Sequence, residues 1–176
     1  MNKDYSLLVS SCDSYSETWN PFFYLLKKHW PDIDCSIHLC TESKKFSFDG
    51  LKIECPLNFV NNETTWSENL IATIMNIKTE HVLLILDDFW LKSAVDTSIL
   101  NQCMEYMIND KNIGYICLAP NQPGPNYNSK YPELEYRSSK ANYRINAQAG
   151  LWRKDFLLKI LRKHESAWMF EWQGTR

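Results

Sequence analysis

Residues 81–90, HVLLILDDFW, constrain the fold more than any other part of this chain. An uninterrupted apolar run, residues 82–86, meets two adjacent carboxylates, Asp87 and Asp88. A short apolar run bounded by polar residues reads as a strand buried on both faces, as in parallel sheets. Ligands of open α/β sheets bind beyond the carboxyl ends of such strands. Two neighbouring carboxylates there repel each other and lose hydration, so they call for a counter-ion. A hard divalent cation that also carries phosphate groups meets that need. Chemistry on a phosphorylated or nucleotide-linked substrate is therefore expected.

The rest of the chain alternates in the same style. Residues 5–10 (YSLLVS), 35–40 (CSIHLC), 51–55 (LKIEC), 113–118 (IGYICL) and 143–148 (YRINAQ) read as further strands. A helix is predicted over 17–30, with Thr18 or Asn20 as caps and Pro31 as its stop. Thr65 and Glu68 form a capping box that opens a helix to about Lys78. Ser93 and Asp96 suggest a similar start for a helix ending near Asn109, with Val95, Ile99, Cys103, Met104 and Met107 on its buried face. A last helix is predicted over 154–164. Residues 120–132, rich in proline, read as a long loop. The order β-α-β-β-α-β-α-β-β-α implies an α/β fold, a Rossmann-like, mostly parallel sheet with helices on both faces. At 176 residues, one domain is expected.

Composition narrows the partners. Net charge is -2 and no basic tract stands out, which argues against a nucleic-acid partner. The basic face of Lys154, Lys159, Arg162 and Lys163 is the one feature that would suit peripheral association with a membrane. No apolar run approaches the roughly 18 residues of a membrane span. The six cysteines show no CxxC pair, and no signal peptide is evident. A cytoplasmic protein with reduced thiols, working at the inner face of a membrane if it meets one, is the expectation. Neither GxGxxG nor GxxxxGK[ST] occurs, so phosphate binding would depend on a metal at Asp87 and Asp88.

With the acid pair closing the fourth predicted strand, the chain resembles nucleotide-sugar glycosyltransferases of the GT-A type, whose DxD or xDD signature closes that strand. The opening LLVSSCDSY and the stretch INAQAGLWRKDFLLKILRKHESAWMFE, residues 145–171, resemble bacterial glycosyltransferases of surface-polysaccharide synthesis. The resemblance implies a nucleotide-binding half over 1–120 and an acceptor and catalytic part over 121–176. It implies Mg²⁺ or Mn²⁺ on Asp88, with Asp87 on the metal's water shell or the ribose. Ser10, Ser11 and Asp13 would lie near the nucleoside, and Trp66, Ser67 and Asn69 would flank the same pocket. Glu171 would be the catalytic base of an inverting hexosyl transfer, its pKa raised by Trp168, Phe170 and Trp172 if these bury it. Gln148 would bond sugar hydroxyls and Trp152 would stack on a sugar face. The donor would be a nucleotide diphosphate-sugar, and the acceptor a glycan or lipid-linked glycan. Related enzymes carry a late metal ligand, often His. His164 is the only late histidine, in a predicted helix, and the chain ends at Arg176, so a shortened acceptor side is expected.

The chemistry stands without the family. A carboxylate can take the proton of an attacking hydroxyl, and a cation can neutralise a departing diphosphate. Two other readings stay open. A nucleotidyltransferase acting on a sugar phosphate shares the acids but usually opens with a glycine-rich basic loop. A non-catalytic carbohydrate-binding domain would use the aromatic residues as its platform.

Overall fold

The computed structural model describes residues 4–56, 64–119 and 126–174. Its elements run β1 (Tyr5–Ser10), α1 (Ser16–His29), β2 (Ile37–Leu39), β3 (Ile53–Glu54), α2 (Trp66–Asn76) and β4 (His81–Leu86). They continue with α3 (Thr97–Asn109), β5 (Tyr115–Cys117), β6 (Asn126–Asn128), β7 (Glu135–Arg137), β8 (Gly150–Arg153), α4 (Lys154–Ile160) and α5 (Ala167–Gln173). A six-stranded sheet has the order β3-β2-β1-β4-β8-β5. β1 runs parallel to β2 and β4, and β2 parallel to β3, while β8 is antiparallel to both of its neighbours. The class is α/β with a mostly parallel central sheet, as expected.

The two central strands explain the apolar run. β1 and β4 pair along their full length, from Tyr5 opposite His81 to Ser10 opposite Leu86. Leu7, Val9, Leu83 and Ile85 enter one layer with Trp19, Phe22, Phe23 and Leu26 of α1 and Leu100, Cys103, Met104 and Met107 of α3. Leu8, Val82 and Leu84 enter the other layer with Leu70 and Ile74 of α2, Leu157 of α4 and Phe170 of α5. Helices thus cover both faces, and every position of the two strands is buried except Leu86 at the end of β4, which is half-buried. Each of these side chains contributes on the order of 2 kcal/mol by leaving solvent.

The chain leaves β1 toward β2 and β3, then returns through α2 to β4 on the other side of β1. The carboxyl ends of β1 and β4 therefore flank the point where the winding direction reverses, the place where such sheets form a ligand crevice.

Several boundaries differ from expectation. The YRINAQ stretch is not a strand. Tyr143 has φ 53°, in the left-handed region, which breaks an extended course. Ile145, Asn146 and Ala147 are buried without pairing in the sheet, and the strand forms afterwards at Gly150–Arg153. Asp96, not Ser93, caps α3: its carboxylate accepts from the N–H groups of Ser98 and Ile99 at 3.0 and 3.2 Å. The later start leaves Ile99 exposed, and Leu100 takes its place in the core. The expected helix over 154–164 ends at Ile160, and His164, with φ 67°, lies in the turn before a separate helix, α5. His164 is therefore in a turn rather than a helix. Of the proline-rich segment, residues 120–125 lie outside the described residues, and β6 pairs antiparallel with β7. The capping box is formed: Glu68 Oε2 accepts from the Thr65 N–H at 3.1 Å and from its hydroxyl at 2.8 Å. All six cysteines are free thiols. Among the described residues no helix is long and apolar enough to cross a membrane.

Candidate functional site

β1 and β4 deliver their next residues to one place because their ends are level. The Asp87 N–H donates to the Ser10 carbonyl at 3.2 Å, extending the ladder by one step. Past that bond the two chains meet through side chains. The Ser11 hydroxyl donates to Asp87 Oδ2 at 2.6 Å, and the Thr18 hydroxyl donates to the same oxygen at 2.9 Å. Trp19 Nε1 in turn donates to Ser11 Oγ at 2.7 Å, which orients that hydroxyl toward the carboxylate. Asp87 is buried, with 8% of its surface exposed. Burial pushes its carboxyl above the usual range, the Ser11 and Thr18 hydroxyls pull it back, and the Asp88 charge raises it further. Asp88 follows immediately and is exposed. One acid is thus held rigidly and the next projects into solvent.

The pair suits a cation. Both hydroxyls bond Oδ2, so Oδ1 receives neither. Among the described residues no group of three or more His, Cys, Asp or Glu side chains is gathered as a metal cage. Mg²⁺ needs no such cage, since it is commonly held by one or two carboxylates together with waters and substrate phosphates.

Asp13 has a different task. Its carboxylate accepts from the N–H groups of Glu42, Ser43 and Lys44 at 3.1, 2.9 and 3.0 Å, and from the Ser43 hydroxyl at 2.6 Å. Partial burial pushes this carboxyl up, but the Ser43, Glu42 and Lys44 hydrogen bonds outweigh it and hold the group below the usual range. Asp13 therefore latches the turn after β1 to the turn after β2, with three of its four bonds on Oδ2 and one on Oδ1.

The latch brings in a residue that the sequence reading missed. Glu42 Oε2 accepts from the Asp13 N–H at 2.5 Å, and Glu42 Oε1 accepts from Asn69 Nδ2 at 3.4 Å. Desolvation pushes the Glu42 carboxyl up; the Asp13 N–H lowers it and the Asp13 charge raises it. Asn69 is 3% exposed, and its Oδ1 has no hydrogen-bond partner among the described residues. A buried acceptor of that kind is suited to a ligand donor or a water. Glu42 follows the second strand as Asp87 follows the fourth, so the carboxyl-end rule applied to every parallel strand would have found it. Thr18 was expected to cap α1. It lies inside the helix, one residue before Trp19, and both turn toward Asp87.

The remaining candidates divide. Trp66 Nε1 donates to Ser10 Oγ at 2.8 Å, and the indole ring lies 5.5 Å from that of Phe170. Trp66 and Ser10 thus join the crevice to α5. Gly150 of β8 is level with Leu84 of β4, and β8 runs antiparallel, so Gln148 lies toward the Leu86 end. Glu171 Oε1 accepts from the Ala147 N–H at 2.8 Å, which sets it beside Gln148 at that same end. Trp168 and Trp172 are 77% and 69% exposed, so they do not enclose the Glu171 carboxylate as expected.

Two assignments are corrected. Ser67 is fully buried; its hydroxyl accepts from the Glu165 N–H at 2.9 Å and its own N–H donates to the Glu165 carbonyl. It fastens α2 to the turn before α5 and does not face a ligand. Trp152 is likewise fully buried, stacked on Tyr115 with ring centroids 3.8 Å apart. A ring with neither face open cannot receive a sugar.

No protein-family model and no curated protein matches this chain. The functional reading therefore rests on the site itself.

Proposed function

We propose that this chain is a GT-A-like glycosyltransferase that moves a sugar from a nucleotide diphosphate-sugar to a glycan or lipid-linked glycan acceptor. The observation that carries the reading is the acid pair at the reversal point between β1 and β4, one carboxylate locked and the next exposed. Asp88, with Asp87 behind it, would hold Mg²⁺ or Mn²⁺. That ion supplies Lewis-acid neutralisation of the diphosphate leaving group. Ser11, Thr18 and Trp19 keep Asp87 in place without spending the exposed acid. Glu42 and Asn69, with one acceptor left over, suit the hydrogen-bonding edge of a nucleoside. Glu171 would take the proton from the acceptor hydroxyl as it attacks the anomeric carbon, which gives inversion. Its bond from the Ala147 N–H orients one carboxylate oxygen.

The test is thermal unfolding with nucleotide diphosphates and their sugars, with and without Mn²⁺. A fitting donor at about 100 times its dissociation constant adds roughly 2.7 kcal/mol of stability. Asp88→Asn should abolish the Mn²⁺-dependent part of that shift while leaving the unliganded melting temperature unchanged, and should lower transfer by about 100-fold or more. A panel with no Mn²⁺-dependent shift for any nucleotide would sink the proposal. A glycan that stabilises wild type and Asp88→Asn equally would turn it into a carbohydrate-binding domain.

A further inference from the structure

Helix α5 has an inward side and an outward side, and the outward side is aromatic. Phe170 is fully buried, its ring 5.5 Å from Trp66 and 6.1 Å from Trp152. Trp168 and Trp172 are four residues apart, so they share one side of the helix, away from Phe170. Both are mostly exposed, and Met169 beside them is also exposed. Trp168 is the most exposed large apolar side chain among the described residues. A surface helix normally carries polar residues on that side.

The surroundings are basic. Arg162 and Lys163, in the turn that leads into α5, are exposed. At the other end of the helix Gly174 packs beside Ile145, which brings the exposed Tyr143 and Arg144 alongside. The bond from the Ala147 N–H to Glu171 holds that segment against α5. Nearby acids are engaged: Glu165 is buried and accepts from the Arg162 N–H, and Glu68 pairs with His164 at 3.4 Å. Lys154 is diverted from the expected basic face, because its ammonium donates to the Ile77 carbonyl at 2.7 Å.

Exposed tryptophan inside a basic rim has a specific physical meaning. Indole rings favour the headgroup level of a bilayer, where one edge stays wet. Basic side chains are drawn to anionic headgroups, and an apolar anchor with a basic patch together give stable attachment where either alone is weak.

We propose that the outward side of α5 docks the protein on an anionic lipid surface. Trp168, Trp172 and Met169 enter the headgroup boundary, and Arg162, Lys163 and Arg144 meet the lipid phosphates. The consequence for chemistry rests on the transferase reading above. Glu171 shares this two-turn helix, so a lipid-linked acceptor would present its hydroxyl beside the base without leaving the membrane.

Co-sedimentation of the full chain with vesicles, without nucleotide or metal, tests the surface. Wild type should bind vesicles of phosphatidylcholine mixed with phosphatidylglycerol, bind phosphatidylcholine alone weakly, and release as salt shortens the screening length. The double variant W168S/W172S should lose about tenfold or more in partitioning, and R162E/K163E should lose a comparable amount. Both should unfold at the wild-type temperature, since the replaced side chains are exposed. Asp88→Asn should bind vesicles like wild type, so failure of the transferase reading and failure of lipid docking are distinguishable. Equal binding by wild type and W168S/W172S would overturn the proposal. So would no binding to either vesicle, or a solution dimer that W168S/W172S dissolves, which would assign the side to a second copy of the chain.

Discussion

Asp13 and Asp87 each follow a central parallel strand, and the protein uses them in opposite ways. Asp13 accepts four hydrogen bonds, three of them from backbone N–H groups, and its carboxyl is held low. Asp87 is more deeply placed, accepts two hydroxyl donors on a single oxygen, and its carboxyl is raised. A saturated carboxylate stabilises the loops around it. A buried, partly satisfied one costs stability. Local conflict of this kind is where a fold gives up stability to function.

Substitutions can break or sharpen the contrast. The largest effect on stability is expected at Asp13. Asp13→Ala strands several donors and should destabilise by about 1–2 kcal/mol after allowance for solvent screening. Because the folded pKa is lowered, this contribution is present above the ordinary aspartate value, near pH 4, and is lost as pH falls through the folded value. Urea unfolding of both proteins across pH measures it, and a difference that grows on acidification would refute the latch.

Asp87→Asn should have the opposite sign. The amide oxygen can still accept from Ser11 and Thr18, while the buried charge is gone. A gain of about 1 kcal/mol near neutral pH is expected, or roughly 2–4 °C in melting temperature. The folded pKa is raised, so the wild type bears the full penalty above that value, and the gain should shrink as pH falls through it and vanish below the ordinary aspartate pKa. A destabilised Asp87→Asn at neutral pH would show that the carboxylate is structural after all.

Glu42→Gln is the smallest and most diagnostic change. The amide can keep the bond from the Asp13 N–H, so stability should move by less than about 0.5 kcal/mol. If Glu42 meets the nucleoside, its effect should instead appear in the donor-dependent thermal shift, with the Mn²⁺ requirement intact. A variant that loses stability and retains the full donor shift would move Glu42 into the latch.

How much of this was legible without coordinates depended on the range of the interaction. β1 and β4 were readable because residues 7–9 and 82–86 are continuous apolar runs, as a strand covered by helices on both faces requires. The Thr65–Glu68 box was readable because both partners lie within one turn. The segment over 143–153 misled because Ile145 and Ala147 alternate with polar residues in the sequence, while the structure buries Asn146 between them as well and pairs none of the three in the sheet. Trp152 misled for a related reason: an aromatic beside a site reads as a platform until Tyr115 covers its face.

The residues by themselves determined the α/β alternation, the central apolar strands and the acid pair that ends one of them. These follow from local periodicity and from the cost of burying polar groups. Only the tertiary structure decided which acids are spent and which are kept. Whether a carboxylate is a latch or a site depends on the donors around it, and those come from Ser43 for Asp13 and from Ser11 and Thr18 for Asp87. These contacts join residues about 30 and 70 positions apart. The aromatic side of α5 was decided in the same way, since nothing in AWMFEWQ says which tryptophans the core will take until Phe170 is seen to fill it.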